Sequence, residues 1–430
     1  MSDQITLAFP IPKPAPTGSV DLRHGDCLTV LRDLPDNSVD SVVTDPPYGL
    51  SNTKPAQVAD VLAAWVTGDT EAVPAKRGGF MGKDWDSFVP PPAVWAECLR
   101  VLKPGGHMAV FAGARTQDLM GLSIRLAGFE IRDTLGWVYG SGFPKSMDVP
   151  KAIESTLTTG KSNSRSLRKT EQDGDGEAYT LTGKNNGIMG ETRTYERKQF
   201  APATDAARQW DGWGTALKPA IEPIILARKP LDGTVAANVL AHGVGGLNID
   251  ACRVGGDSGR FPANVLLDEH AAKEMDEQSG WSKSPDIGSV TRTKPRHSGS
   301  MAGAFKHPEA MSNGHGDAGG ASRFFPVFKY QAKAPKKERP VIVREDGTKI
   351  AHPTVKPLAL MEWLVTLITP EGGTTLDPFA GTGTTLQAAR DNGFDAIGVE
   401  QDPDYLALIG ERLGRHSVTE GLPLWEEVPA

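Results

Sequence analysis

The chain has only three cysteines in 430 residues, Cys27, Cys98 and Cys252, far apart and without paired spacing. That excludes a disulfide framework, and it leaves no metal site to be expected. No apolar run approaches the length of a membrane span. The opening segment MSDQITLAFPIPKPAP carries an acid where a secretory leader carries basic charge, so the sequence predicts a cytoplasmic protein with no membrane partner. Internal repeats are also missing. What remains, 39% hydrophobic and 23% charged residues, is the composition of a soluble globular protein. The length suits one large domain with insertions or two domains of ordinary size.

Basic charge is scarce overall: 46 Lys and Arg stand against 53 Asp and Glu, a net charge of −7 that argues against a nucleic-acid partner. The average conceals an uneven chain. From Trp281 to Ile350 there are 13 Lys and Arg against 6 Asp and Glu, a local balance of +7, which leaves −14 elsewhere. One basic patch on an acidic body is compatible with DNA, because phosphate contacts depend on the local field.

Two stretches, Thr158–Gln199 and Ser282–Arg323, are poor in apolar residues and read as long loops or segments that order on binding. Elsewhere short apolar runs alternate with helical patterns, which points to an α/β fold with a largely parallel sheet. Seven strands are expected, near residues 19–24, 39–44, 107–112, 131–139, 221–227, 374–376 and 396–399. The last 80 residues hold only two of them and cannot form a sheet alone. They must complete the sheet begun by the first 145, so the chain ends meet and the middle is inserted around one embedded strand.

Two corners carry the chemistry. In TDPPYGL a strand runs into Asp45, Pro46, Pro47 and Tyr48. In TTLDPFAGTGTTLQAARDNGFDAIGVEQD a strand ends at Asp377, Phe379 follows, the turn holds Gly381 and Gly383, a helix begins near Thr384, and Glu400 ends the next strand. Glycines admit a ligand to the backbone, a helix N-terminus presents free N–H groups, and an acid placed like Glu400 accepts ribose hydroxyls. The turn lacks the lysine of a phosphate-binding P-loop, and Leu386 stands where a dinucleotide turn has its third glycine. A ligand with a ribose but no phosphate recognised here is indicated, and S-adenosylmethionine is such a ligand.

DPFAGTGTT resembles the cofactor motif, and DPPY the catalytic motif, of the DNA methyltransferases that modify exocyclic amines, the N6-adenine and N4-cytosine enzymes. DPPY precedes the glycine motif by more than 300 residues, which is similar to the permuted order of that family's beta group. The resemblance covers about residues 19–145, 214–230 and 350–412, including KPAIEPIILARK and HPTVKP. It implies a Rossmann-like, S-adenosylmethionine-dependent methyltransferase fold, a seven-stranded mostly parallel sheet with one antiparallel strand and an inserted target-recognition region. The implied layout is a catalytic domain of 19–145 and 350–412 with 214–230 embedded, a polar insertion at 146–213, a DNA-binding region at 231–349 and a tail at 413–430.

The implied activity is site-specific transfer of a methyl group to the N6 amine of an adenine flipped out of double-stranded DNA. Such an amine is a poor nucleophile because its lone pair is delocalised into the ring. The Asp45 carboxylate and the Pro46 carbonyl supply two acceptors for its hydrogens. Pro47 fixes the direction of that carbonyl, and Tyr48 offers a ring for stacking. Asp at the first position resembles the adenine enzymes more than the cytosine enzymes.

Asp26 resembles the position contacting the cofactor adenine, or caps the following helix. In HPTVKP, Thr354 and Lys356 are candidates for the cofactor's carboxylate, with Lys356 as a solvated surface lysine the alternative reading; His352 reads as structural. Lys336, Lys337 and Arg339 are candidate phosphate contacts. The resemblance admits a cognate restriction endonuclease and a homodimer as partners. The alternatives are N4-cytosine methylation, methylation of a glutamine amide or an RNA base, and an idle methyltransferase fold that only binds DNA.

Overall fold

The computed structural model describes residues 18–51, 53–74, 86–140, 142, 146–160, 178–184, 192–198, 200–256, 259–284, 317–328, 339–344, 346–352 and 354–414. The chain divides into two compact units, residues 141–220 and the remainder.

The larger unit is built on one sheet of nine described strands: β1 (Val20–His24), β2 (Val39–Thr44), β3 (Leu102–Phe111), β4 (Glu130–Val138), β5 (Ile221–Arg228), β6 (Val265–Asp268), β7 (Val327–Phe328), β8 (Thr374–Asp377) and β9 (Asp395–Glu400). They lie in the order β1, β9, β8, β2, β3, β5, β4, β6, β7. All neighbours run parallel except β5, which is antiparallel to both β3 and β4. The seven expected strands are all present and contiguous. The C-terminal strands β8 and β9 sit between β1 and β2, so the two ends of the chain share one sheet.

Two features of this sheet differ from the sequence reading. Among the described residues it has nine strands, because β6 and β7 of the 231–349 segment extend it beyond β4; they have only four and two residues, and no motif marks their ends as the glycine turn marks the equally short β8. Strand β3 begins at Leu102, earlier than expected. Its pairing jumps from Val39↔Leu102 to Ser41↔His107, so KPGG forms an irregularity within the strand.

Every residue of β2 is buried, as a central parallel strand requires. Its polar members are therefore all bonded. Asp40 accepts from Lys103 Nζ at 2.5 Å and Thr374 N at 2.8 Å, Ser41 Oγ meets Thr369 Oγ1 at 2.7 Å, and Thr44 donates to Asp377. Alternation along the strands sends side chains to two helical layers. Ala109, Phe111, Ile224 and Leu226 pack with Leu360, Leu364, Leu386 and Ile409. Met108, Val110, Ile225 and Ala227 pack with Leu31, Trp95, Val101 and Ile124 on the other face.

The smaller unit contains helices Val149–Thr159 and Asp205–Arg208, and the buried Glu154 accepts from Thr204 N and Oγ1 at 3.2 and 3.0 Å. It also holds an antiparallel strand pair, Ala178–Lys184 with Thr192–Lys198, where the low apolar content predicts only loop. The strands AYTLTGK and TRTYERK carry threonine and tyrosine at intervals, residues that favour extended backbone without apolar bulk.

Candidate active site

Parallel pairing of β8 with β2 sets the two corners side by side at the C-terminal ends of adjacent strands, where the chain crosses away to opposite sides. Open α/β sheets form their ligand crevices at such points. A buried contact joins the corners: Thr44 Oγ1 donates to Asp377 Oδ1 at 2.7 Å, and Phe379 N donates to the same oxygen at 3.1 Å. Burial pushes the Asp377 carboxyl up to about 6, against the lowering effect of its bonds to Thr385, Thr44 and the Phe379 amide.

At the first corner Asp45 is half-buried and both carboxylate oxygens are engaged. Tyr48 Oη donates to Oδ1 at 2.8 Å, and Lys356 Nζ donates to Oδ2 at 2.7 Å. Glu222 Oε2 lies 3.2 Å from Tyr48 Oη and 3.2 Å from Lys356 Nζ. The ammonium is also 3.0 Å from Tyr48 Oη and 4.8 Å from the centroid of the Phe111 ring. Burial disfavours the charged lysine, but Asp45 and Glu222 outweigh it and Lys356 is held above its ordinary range. Burial, then Asp45 and Glu222, push the Tyr48 phenol up, so it stays protonated as a donor.

The backbone of the corner is fixed as well. Pro46 is buried and Pro47 half-buried, and Thr116 Oγ1 donates to the Tyr48 carbonyl at 2.6 Å. Gly49 turns the chain at φ 67° and donates to the buried Asp86 at 2.9 Å; a Cβ there would lie 2.7 Å from Val89 N. No other residue fits that turn.

At the second corner Gly381 and Gly383 adopt φ 54° and 72°, and Gly383 caps the helix Thr384–Asp391. Glu400 closes the cradle: Oε2 accepts from Gly381 N at 2.8 Å and Oε1 from Asp402 N at 2.9 Å. Burial pushes its carboxyl up to about 7, partly countered by those amides. A left-handed glycine turn at a helix N-terminus, with an acid at the tip of the next strand, fits the ribose-bearing ligand expected from the sequence. Arg412, which sequence reasoning missed, is buried behind the turn and donates to Gln387 Oε1 at 2.9 Å and Thr382 Oγ1 at 3.4 Å. A buried arginine on a terminal amphipathic helix was the available signal.

Other expected positions resolve individually. Asp26 caps the helix Cys27–Arg32, accepting from Thr29 N at 3.1 Å and Thr29 Oγ1 at 3.2 Å. Phe379 is half-buried with its ring 6.2 Å from Trp95. The Thr354 carbonyl bonds to His352 Nδ1, and that imidazole packs edge-on against Tyr405 at 4.7 Å. Lys356 is buried rather than solvated at the surface, and its ammonium lies on Asp45. Glu222 is the second residue that sequence reasoning missed; an acid near the start of the strand IEPIILAR gave no sign of its partners. Arg339 is half-buried, and Lys336 and Lys337 lie outside the described residues. No described helix is long and apolar enough to cross a membrane.

The chain is similar to known proteins. A model of the N6/N4 DNA methylase family matches residues 39–411. The chain is 23% identical over 414 residues to the Type II methyltransferase M.HindIII of Haemophilus influenzae, covering 91% of this chain and 94% of that protein. A local match, 39% identical over 70 residues, relates 16% of this chain to 23% of the Type II methyltransferase M.ScaI of Streptomyces caespitosus. Among solved structures, the cytosine-N4-specific PvuII DNA methyltransferase aligns with 93% of this chain and 88% of its own, at 15% identity and a TM-score of 0.44. The M1.HpyAVI–SAM complex aligns with 92% and 98%, at 15% identity and a TM-score of 0.37. With the family model spanning most of its length, the chain belongs to the N6/N4 DNA methylase family, whose methyl donor is S-adenosyl-L-methionine.

Proposed function

We propose that this DNA methyltransferase acts on the N6 amine of adenine, with the base turned out of the duplex at the Asp45 to Tyr48 corner. The observation that carries the reading is the placement of Asp45 at the tip of β2, its carboxylate fixed by Tyr48 and Lys356. S-adenosyl-L-methionine supplies a methyl group already activated on sulfonium. Gly381, Gly383 and Glu400 are the residues that would hold it, with Asp377 and Phe379 lining the step between the corners.

The chain's own residues then prepare the amine. The Asp45 carboxylate and the Pro46 carbonyl accept its two hydrogens, which draws the nitrogen toward tetrahedral geometry and aims a lone pair away from the ring. Orientation supplies most of the acceleration, since the leaving group needs no further activation. The proton displaced from nitrogen passes to Asp45, which need not be a strong base because the methylated ammonium is very acidic. The Tyr48 ring is the stacking surface for the turned-out base. Choice among DNA sites is assigned to the 231–349 segment, where basic residues such as Lys336 and Lys337 would meet phosphates while other side chains read base edges.

Digestion to nucleosides of DNA from cells expressing the protein, followed by mass spectrometry, tests the base. N6-methyladenine is expected. N4-methylcytosine alone would transfer the same geometry to cytosine, whose amine needs the same two acceptors.

A further inference from the structure

Strand β5 is the one described strand of the large sheet that runs against its neighbours. Its reversal brings its N-terminal end, and with it Glu222, to the edge where β2 and β3 finish. A parallel strand there would have delivered its C-terminal residues instead. Glu222 thus reaches, across 174 residues of sequence, the hydroxyl of Tyr48, and across the same gap in space the ammonium that holds Asp45.

The charges in this cluster are unbalanced. Asp45 and Lys356 alone would cancel as an ion pair. Glu222 adds a second carboxylate, so two acids share one lysine whose side chain is only 11% exposed. The target amine begins neutral and turns cationic as it is methylated. A site holding one negative charge in excess favours that change, and a neutral pair does not. Resting on the amine-methylation reading above, we infer that Glu222 is a positioning residue for methyl transfer: through Lys356 and Tyr48 it orients the Asp45 carboxylate and supplies the excess negative charge that the reacting amine needs. Lys356 belongs to the same device and serves Asp45, not the cofactor.

The pair makes a signed prediction. The charged and titratable groups facing Asp45 are Lys356 from the HPTVKP segment, Glu222 from β5, Tyr48 from its own corner and Asp377 from β8. Losing the lysine's positive charge and losing the glutamate's negative charge change the field at the corner in opposite senses. The acid limb of the rate–pH profile should therefore move up in Lys356→Met and down in Glu222→Gln.

The experiment measures single-turnover transfer of labelled methyl from S-adenosyl-L-methionine to unmethylated genomic DNA across pH 5 to 9, alongside calorimetric cofactor affinity and melting temperature. Glu222→Gln should lose about tenfold to a hundredfold in rate, less than loss of a direct transition-state donor costs. Its cofactor affinity should stay within about twofold of wild type, and Glu222→Asp should recover part of the rate. The inference is overturned by an unchanged profile in Glu222→Gln, by limbs that move the same way in both variants, or by a Lys356→Met whose main defect is cofactor binding. A wild-type protein that methylates no DNA would instead remove the amine-methylation reading, and the inference with it.

Discussion

At the scale of single residues, burial raises both acids at the glycine-turn corner, Asp377 and Glu400. The Glu400 carboxyl, raised from 4.5 to about 7, is favoured by the fold in its neutral form. Its contribution to stability is therefore fully present below about pH 4.5 and is lost as pH rises through 7. Glu400→Gln removes that dependence. In cofactor-free protein, the melting temperature of wild type relative to Glu400→Gln should fall between pH 5 and pH 8; a constant difference would mean that the buried carboxyl is not perturbed. Single residues were also where the sequence was most and least informative. Asp45, Tyr48, Gly381 and Glu400 are legible because each sits in a motif whose chemistry demands its type. Glu222 is not legible, since its role arises only when an antiparallel strand carries it to a tyrosine 174 positions away. The identity of Lys356 was readable, but its partner, 311 residues distant, was not.

At the scale of elements, the turn between β8 and its helix is held by conformation and by packing. Gly383 combines φ 72° with a Cβ position only 2.9 Å from Ile409 Cγ2, so a side chain there must displace the helix start or the helix Pro403–Gly414 behind it. Gly372 has a similar φ of 68° but open space around it. Alanine at either position should cost about 1 kcal/mol through backbone strain. Only Gly383→Ala should also weaken S-adenosyl-L-methionine binding, by about tenfold or 1.4 kcal/mol. Calorimetry and thermal melting of the two variants separate strain from site damage, and equal cofactor affinities would place the ligand away from this turn. The same scale explains what periodicity could and could not show. Strands of five or more residues buried on both faces leave apolar runs that can be read, as in SVV and IILA. A two-residue strand such as β7, or an irregularity such as KPGG, leaves none, because its pairing is decided by neighbours far along the chain.

At the scale of the whole chain, the decisive inference from sequence was that two strands after residue 350 cannot stand alone. Their insertion between β1 and β2 follows from the need to pair every strand edge near the core. The middle of the chain was harder to read. Polar composition at 158–199 indicated loop or a segment that orders on binding, yet residues 141–220 form a compact unit with their own strand pair; β6 and β7, outside both polar stretches, were missed as strands of the main sheet. Composition reports how much apolar surface a segment can bury, not whether a neighbour offers it an edge. The two corners lie more than 300 residues apart in sequence and on adjacent strands of the fold, so the proposed activity depends on the sheet as a whole. The most direct test compares wild type with Asp45→Ala for transfer of labelled methyl to DNA, with cofactor affinity measured on both. Wild type should transfer the label, Asp45→Ala should lose essentially all transfer, and both should bind S-adenosyl-L-methionine with nearly equal affinity. More than a few per cent of wild-type transfer by Asp45→Ala would rule out Asp45 as the acceptor.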